Sequence, residues 1–353
     1  MTNYTNNFFG LDLGTTGIRI VQLFRRGDNY DLLAAGSLPN STNIQTCEDP
    51  QKIQTLAEKI LQLRKECGVT CKNVTLSIPE EYVYTQLIEF PKLPDKQLQE
   101  TIRWESESFV PIPLEEVELD WKIFPISGEK DKVFVFIVAA PLLKINKITD
   151  LLQFTKLNVI NIESSIISTS RAIIDKQEEK ETVLMLNIGF ENSELAIIKN
   201  GVILATRKLP LGGDTITRAL VSNLSLEWKL AEKTKLNLKN VEGEIGEKIK
   251  GYVNSVIINL SREVRRSIHY FKEKYDDLIV TKVVVTGHTV AMHNFKNLFQ
   301  EKLNNIKTKE DENLEVSIGN PWSRVAKSQS IEDKSPEAKY SFSVAVGLAM
   351  KKL

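Results

Sequence analysis

Three strand-like apolar runs open the chain, FFGLDLG, GIRIVQLF and DLLAAGSLP, and Gly27-Asp28 between the last two supplies a turn. They predict a three-strand meander. From Gln51 to Lys65 the period changes: Ile53, Leu56, Ala57, Ile60 and Leu63 recur at helical spacing, so one helix face is buried. NVTLSIP returns to strand, and the segment reads as an α/β lobe.

Residues 82–154 read as a compact α+β insertion. YVYTQLIEFP is a strand, Asp95 is placed to cap a helix reaching about Phe109, and Pro111 and Pro113 stop it. Trp104 and Phe109 read first as core residues, with the lining of a groove as the alternative. VELDWKIFPI and KVFVFIVAA are strands joined by SGEKDK, and LLKINKITDLLQFTK is a helix. VINIESS resumes the first lobe, and KQEEKE (176–181) is a solvated connector.

The opening pattern then recurs. FFGLDLGTTGIRIVQL and VLMLNIGFENSELAII align without gaps when Asp12 faces Asn187 and Gly14 faces Gly189, each reading strand, glycine turn, alternating strand. The duplication implies two related lobes across a cleft. PLGGDTITRAL opens a helical stretch expected to run to Lys250. A second helix is expected over 251–275, carrying Val256, Leu260, Val264 and Ile268. TKVVVTGH is a buried strand, a helix is expected near 291–304, and EVSIGNPW is a strand and turn. Residues 328–339 read as a loop and YSFSVAVGLAMKKL as a closing helix.

Composition changes this picture little. A chain of 353 residues exceeds what one core usually organises, and 42% hydrophobic with 26% charged residues is ordinary for a globular protein. The 46 basic and 46 acidic residues cancel, so bulk charge implies neither nucleic acid nor anionic lipid. Cys47, Cys67 and Cys71 fit reduced thiols better than a metal site. The polar N-terminus does not read as a signal peptide, and the longest apolar run, Val133 to Leu143, is too short to span a bilayer. Direct membrane insertion is not expected.

The chemistry lies in the turns. Asp12-Leu13-Gly14-Thr15-Thr16-Gly17 offers backbone N–H groups and hydroxyls to phosphate oxygens, and Asp12 could hold hydrated magnesium. In the second turn Asn187 brings no charge, and Glu191 stands where Thr16 stands in the first copy. A carboxylate within about 5 Å of a phosphate costs on the order of a few kcal/mol at an effective dielectric near 20. Gly212-Gly213-Asp214 precedes a helix, either as an anion site or as an ordinary glycine loop with Asp214 as cap. Thr286-Gly287-His288 follows a buried strand, and His288 either blocks a flat base or stacks on it. The histidines lie near no nucleophile, and no catalytic residue is nominated. Arg262, Arg265 and Arg266 read as a solvated helix face.

The order of these motifs resembles the actin-like ATPase superfamily, and within it the PilM family of type IV pilus assembly, relatives of FtsA. The resemblance covers essentially the whole chain. It rests on GLDLGTTGIRIVQL, FPKLPDKQLQETIRWESESFVPIPLEEVELDW and IKNGVILATRKLPLGGDTITRAL, with LAEKTK, REVRRSIHYF, SIGNPW and FSVAVGLAMKKL. The insertion stretch is the most specific, since actin and the sugar kinases have nothing like it.

The resemblance implies a duplicated actin-like (ribonuclease H-like) α/β fold with two lobes and four subdomains. Subdomain 1A takes 1–81 with 155–180 and 340–353, and 1C takes 82–154. Subdomain 2A takes 181–214 with 251–339, and 2B takes 215–250. It further implies ATP or ADP with magnesium in the cleft. Asp12 (metal, through water), Gly14, Thr15 and Thr16 match the first phosphate motif, opposite Asn187 and Gly189. Gly212 and Gly213 match the family's glycine pair, Glu232 and Lys235 fall at ribose- or base-contacting positions, and Gly287 and His288 at adenine. Asn187, Glu191 and His288 depart from the family's pattern and weigh against hydrolysis. The expected role is a cytoplasmic scaffold, peripheral to the inner membrane. It docks the N-terminal cytoplasmic peptide of a PilN-like membrane protein between 1A and 1C, among other inner-membrane pilus components. The alternative is an active ATPase, FtsA-like or sugar-kinase-like.

Overall fold

The computed structural model describes residues 7–126, 128–175, 178, 181–238, 243–275, 278–308, 312–332 and 336–352. The opening runs are β1 (Phe8–Leu13), β2 (Gly17–Arg26) and β3 (Asn29–Pro39), an antiparallel meander. Helix α1 (Pro50–Glu66) is capped by Asp49, whose carboxylate accepts from the N–H groups of Gln51 and Lys52. Its buried residues are Leu56, Ala57, Ile60 and Leu63, the face its spacing predicts. Strand β4 (Asn73–Ile78) then runs parallel to β1.

The insertion comprises β5 (Tyr84–Pro91), α2 (Asp95–Ser106), β6 (Val117–Pro125), β7 (Lys132–Pro141) and α3 (Leu142–Gln153). Its antiparallel sheet has the order β5-β7-β6. Asp95 is the first helical residue rather than the cap, a position held by Pro94, and α2 ends three residues before Phe109. Phe109 packs on the insertion's core. Trp104, expected inside, is 69% exposed, because the face of α2 that meets the sheet carries Leu98 and Ile102. Ile148, Leu151 and Leu152 of α3 pack into the first lobe's core with Leu56 and Ile60. Strand β8 (Asn158–Ser164) joins β4 in parallel and leads into α4 (Ser165–Ile173).

The second lobe repeats the arrangement with β9 (Thr182–Ile188), β10 (Ser193–Lys199) and β11 (Val202–Leu209). It continues through α5 (Gly213–Leu224), α6 (Trp228–Leu236), α7 (Gly243–Lys274), β12 (Lys282–Thr286), α8 (Phe295–Asn305) and β13 (Glu315–Ile318). Its sheet order, β11-β10-β9-β12-β13, matches β3-β2-β1-β4-β8 strand for strand. The chain then returns to the first lobe through β14 (Val325–Ala326), α9 (Gln329–Glu332), α10 (Pro336–Ser341) and α11 (Ser343–Ala349).

Several boundaries differ from expectation. The helical stretch after Gly212 breaks at Ser225, which adopts a left-handed conformation, whereas α7 runs unbroken across positions 250 and 251. Nothing lies within 4 Å of a Cβ built at Gly251, and glycine alone does not stop a long helix. Helix α8 starts at Phe295 because His288–Ala291 forms a 3₁₀ turn and Asn294 is left-handed. The expected 328–339 loop contains α9 and the start of α10, with positions 333–335 outside the described residues. Most of the 176–181 connector also lies outside them, but Glu178 is buried and paired with Lys282 at 2.6 Å. Arg265, expected in solvent, is buried, with Nε, Nη1 and Nη2 donating to Leu303 O, Glu312 O and Asn304 Oδ1.

Helices α4 and α11 weld the lobes together. Ile166, Ala172, Ala345 and Val346 share one apolar core with Val21 of the first sheet and Val183–Leu186 of the second. The approach needs Gly347, where a Cβ would stand 1.8 Å from Ser168 O. Among the described residues no helix is long and apolar enough to cross a membrane.

Candidate functional sites: the interlobe cleft and an insertion groove

A cavity of about 760 Å³ opens between the lobes. The first turn reaches it with Asp12, Gly14, Thr15 and Thr16, and the second with Asn187, Gly189 and Glu191. Gly213, Glu232 and Lys235 form a further wall, with Gly287 and His288 beside them. Gly212 lies behind that wall, where a Cβ would meet Phe190 O at 2.1 Å.

In the first turn Asn40 ties the loop back, its Nδ2 donating to Gly14 O at 2.9 Å and its N–H to Thr16 O at 3.1 Å. Neither the Thr15 nor the Thr16 hydroxyl has a protein partner among the described residues, so both are available to the cleft. Asp12 faces Arg19 across the hairpin, and Arg19 Nη1 donates to Asp12 Oδ2 at 3.1 Å and to Gly17 O at 3.2 Å. Burial pushes the Asp12 carboxyl above the usual carboxylate range, with Arg19 pulling it back. An aspartate paired this way fits hydrated magnesium poorly, since the guanidinium already holds one of its oxygens. The sequence reading passed over Arg19.

The second turn repeats the register with different charges. Asn187 faces Glu194 as Asp12 faces Arg19, and Asn187 Nδ2 donates to Glu194 Oε2 at 3.2 Å. A carboxylate is therefore present in the second hairpin, one strand over from the expected position. Glu191 is exposed at the rim. Glu194 in turn meets Glu80, which begins a 3₁₀ turn after β4. The Glu80 N–H donates to Glu194 Oε1 and to Ser165 Oγ, each at 3.1 Å, and Ser165 Oγ donates to Glu194 Oε1 at 2.5 Å. Ser164 Oγ donates to Glu80 Oε2. Burial raises both carboxyls, and Glu80 reaches about 8 despite the hydroxyls around it. Glu81 pairs with Lys208, and Thr85 with Thr206 at 2.6 Å, so this seam fastens the insertion's root to the second lobe.

The helix start at Gly212-Gly213-Asp214 is already satisfied. The N–H groups of Gly213 and Asp214 both donate at 2.9 Å, to Gly189 O and Phe190 O, which clamps α5 to the second turn. Lys235 is fully buried, and its Nζ donates to Gly213 O and Thr217 Oγ1, each at 3.2 Å, and to Glu232 Oε1 at 2.9 Å. Three donors meet three acceptors, so this ammonium locks α5 to α6; burial draws it below the usual lysine range against the pull of Glu232. Gly287 adopts φ +102°, and a Cβ there would lie 2.3 Å from Ile188 O. Trp228, 41% exposed, reaches the cleft edge-on to Phe190, with ring centroids 6.2 Å apart.

A second cavity, about 660 Å³, lies between the insertion sheet and the first lobe, with Ile198, Gly201 and Ile203 of the second lobe also lining it. Phe136, Val138 and Ala140 of β7 form its floor, paired in register with Lys122, Asp120 and Glu118 of β6, and Phe124 also lines it. Ile162 of β8, Ile167 and Ile174 near α4, and Ile145 of α3 close it. At one end Glu163 accepts from both terminal nitrogens of Arg171, at 2.7 and 2.8 Å, and from Lys351 at 3.0 Å.

Two lobes of one repeated sheet order, joined through a shared core and separated by paired glycine turns, define an actin-like fold. The solved PilM-PilN type IV pilus biogenesis complex is similar to the chain with a TM-score of 0.81 at 24% identity, covering 98% of each. MreB 5 of Spiroplasma citri bound to AMPPNP is similar with a TM-score of 0.50 at 13% identity, covering 88% of this chain and 91% of that one. Cell division protein FtsA of Bacillus subtilis is 19% identical over 67% of this chain, a match spanning 59% of that protein's length. The family model for type IV pilus assembly protein PilM matches residues 10–353, and the chain belongs to that family.

Proposed function

We propose that the chain is a non-catalytic, actin-like scaffold of the type IV pilus machinery that docks the N-terminal cytoplasmic peptide of a PilN-like membrane protein. In this reading residues 82–154 act as subdomain 1C, and the peptide lies between them and the first lobe. A bound membrane protein would hold the scaffold at the inner membrane, on the cytoplasmic side. One observation carries the reading: the roughly 660 Å³ groove has an apolar floor bordered by charged groups of both signs, Glu118, Asp120 and Lys122 on the β6 side and Lys351 and Lys352 at one end. That combination fits a short peptide with apolar anchors and charged flanking residues. The likeness to the solved PilM-PilN complex over nearly the whole chain supports a PilN-like partner.

Titrating fluorescently labelled N-terminal peptides of bitopic pilus proteins against the full chain tests the proposal. Ala140→Phe fills the floor beside half-exposed Val138 and is expected to weaken binding by at least about tenfold while the circular dichroism spectrum stays unchanged. No binding by any peptide, or full binding by the variant, would sink the assignment.

A second reading, an active ATPase, draws on the size of the cleft and the unpartnered Thr15 and Thr16 hydroxyls. Steady phosphate release from ATP would favour it.

A further inference from the structure

Arg19 stands out among the residues of the interlobe cleft because its hydrogen-bonding capacity is mostly unspent. A guanidinium carries five N–H donors. Nη1 uses its two on Asp12 Oδ2 and Gly17 O, whereas Nε and Nη2 have no partner among the described residues. The group is not simply in solvent: the side chain is 14% exposed and lines the cleft. It lies over the glycine turn itself, so that a Cβ at Gly14 would stand 3.0 Å from Nη1. The hydroxyls of Thr15 and Thr16 border the same space. A fixed cation, spare fork-shaped donors and two hydroxyls around a bare glycine loop suit phosphate oxygens.

We propose that Arg19 takes the place of a metal ion in this cleft, so that the first turn binds the phosphate chain of a nucleoside di- or triphosphate without magnesium. Asp12 then serves as a positioning residue that aims the guanidinium, rather than as a holder of metal-bound water. The opposite hairpin agrees. Its carboxylate, Glu194, already accepts from Asn187 Nδ2, Ser165 Oγ and the Glu80 N–H. The helix start at Gly213 and the ammonium of Lys235 are committed to protein acceptors, and Lys208 is paired with Glu81, so among the described residues lining the cleft Arg19 is the enclosed cation with donors to spare. This site is separate from the peptide groove, and either assignment can fail without the other.

Calorimetric titration of the full chain with ATP and with ADP, in magnesium buffer and in EDTA, tests the proposal. Affinities in the two buffers are expected to agree within about threefold, since the donors that meet the phosphate are protein N–H and O–H groups present in either buffer. Arg19→Met is expected to weaken binding by at least about tenfold, and Arg19→Lys, with the charge but not the fork, by an intermediate amount. Binding that requires magnesium, full binding by Arg19→Met, or no binding in either buffer overturns the assignment. The comparison of the two buffers needs no variant, so a misfolded substitution leaves the test standing.

Discussion

Replacing Glu80 with glutamine probes the seam between the lobes most directly. Glu80 is 5% exposed, faces Glu194 and receives a hydrogen bond from Ser164, and burial lifts its carboxyl from 4.5 to about 8. The sign follows from which state holds the proton. Below the unfolded value both the folded and the unfolded chain are protonated, and the group's stabilising contribution is fully present. Between there and about 8 the unfolded chain has released a proton that the folded chain retains, so stability falls as pH rises. At about 1.4 kcal/mol per pH unit the loss accumulates to roughly 5 kcal/mol above the folded value. Glutamine keeps the shape and has no proton to lose. Glu80→Gln should therefore gain on the natural chain between pH 5 and pH 9, by up to roughly 5 kcal/mol. Glu194, also raised by burial, leaves a residual slope of the same sign in both proteins. Urea unfolding followed by circular dichroism at several pH values measures the difference. Parallel stability curves for the two proteins across that range would show that Glu80 is ionised in the folded state, and the account of the seam would be wrong.

Three other substitutions address the second lobe. Arg265→Ala strands the Leu303 carbonyl and takes a donor each from Glu312 O and from Asn304 Oδ1, which keeps the Leu314 N–H, and should cost about 2–4 kcal/mol by urea unfolding. A loss under about 0.5 kcal/mol, the range of ordinary surface substitutions, would place that side chain in solvent after all. Gly287→Ala forces a Cβ into the Ile188 carbonyl at a positive φ and should destabilise by about 2–4 kcal/mol, visible as a lowered melting temperature. Lys235→Met removes the enclosed ammonium that joins α5 to α6, but its partner Glu232 still reaches water, so the net cost should stay within about 2 kcal/mol; a larger loss would mean that Glu232 is not rehydrated once the ammonium is gone.

The duplication was legible because its signals are local. Strand period, the glycine turns and the helical face of α1 depend on neighbours a few residues away, and the gap-free alignment of Asp12 with Asn187 reappears as matching strand registers. The same alignment pairs Arg19 with Glu194, so both cleft residues could have been found by following each hairpin seven positions onward. Helix boundaries were less legible where no strong breaker stands. Gly251 does not interrupt α7, and the real stop at Ser225 depends on a left-handed backbone that serine rarely adopts. The face of α2 turned to solvent left Trp104 outside, a choice made by the sheet that α2 packs on rather than by its own hydrophobicity.

The sequence by itself thus determined two related lobes, the insertion within the first of them and the glycine turns that face one another. What the turns present was decided by packing. Glu80 and Glu194 are 114 positions apart and meet only because β8 and α4 carry Ser164 and Ser165 between them. Lys235 is silenced by acceptors from α5, and Arg265 is drawn inward by the end of α8. Charge is written residue by residue, but whether it is free, paired or neutralised depends on burial and on partners from distant segments, which only the folded chain brings together.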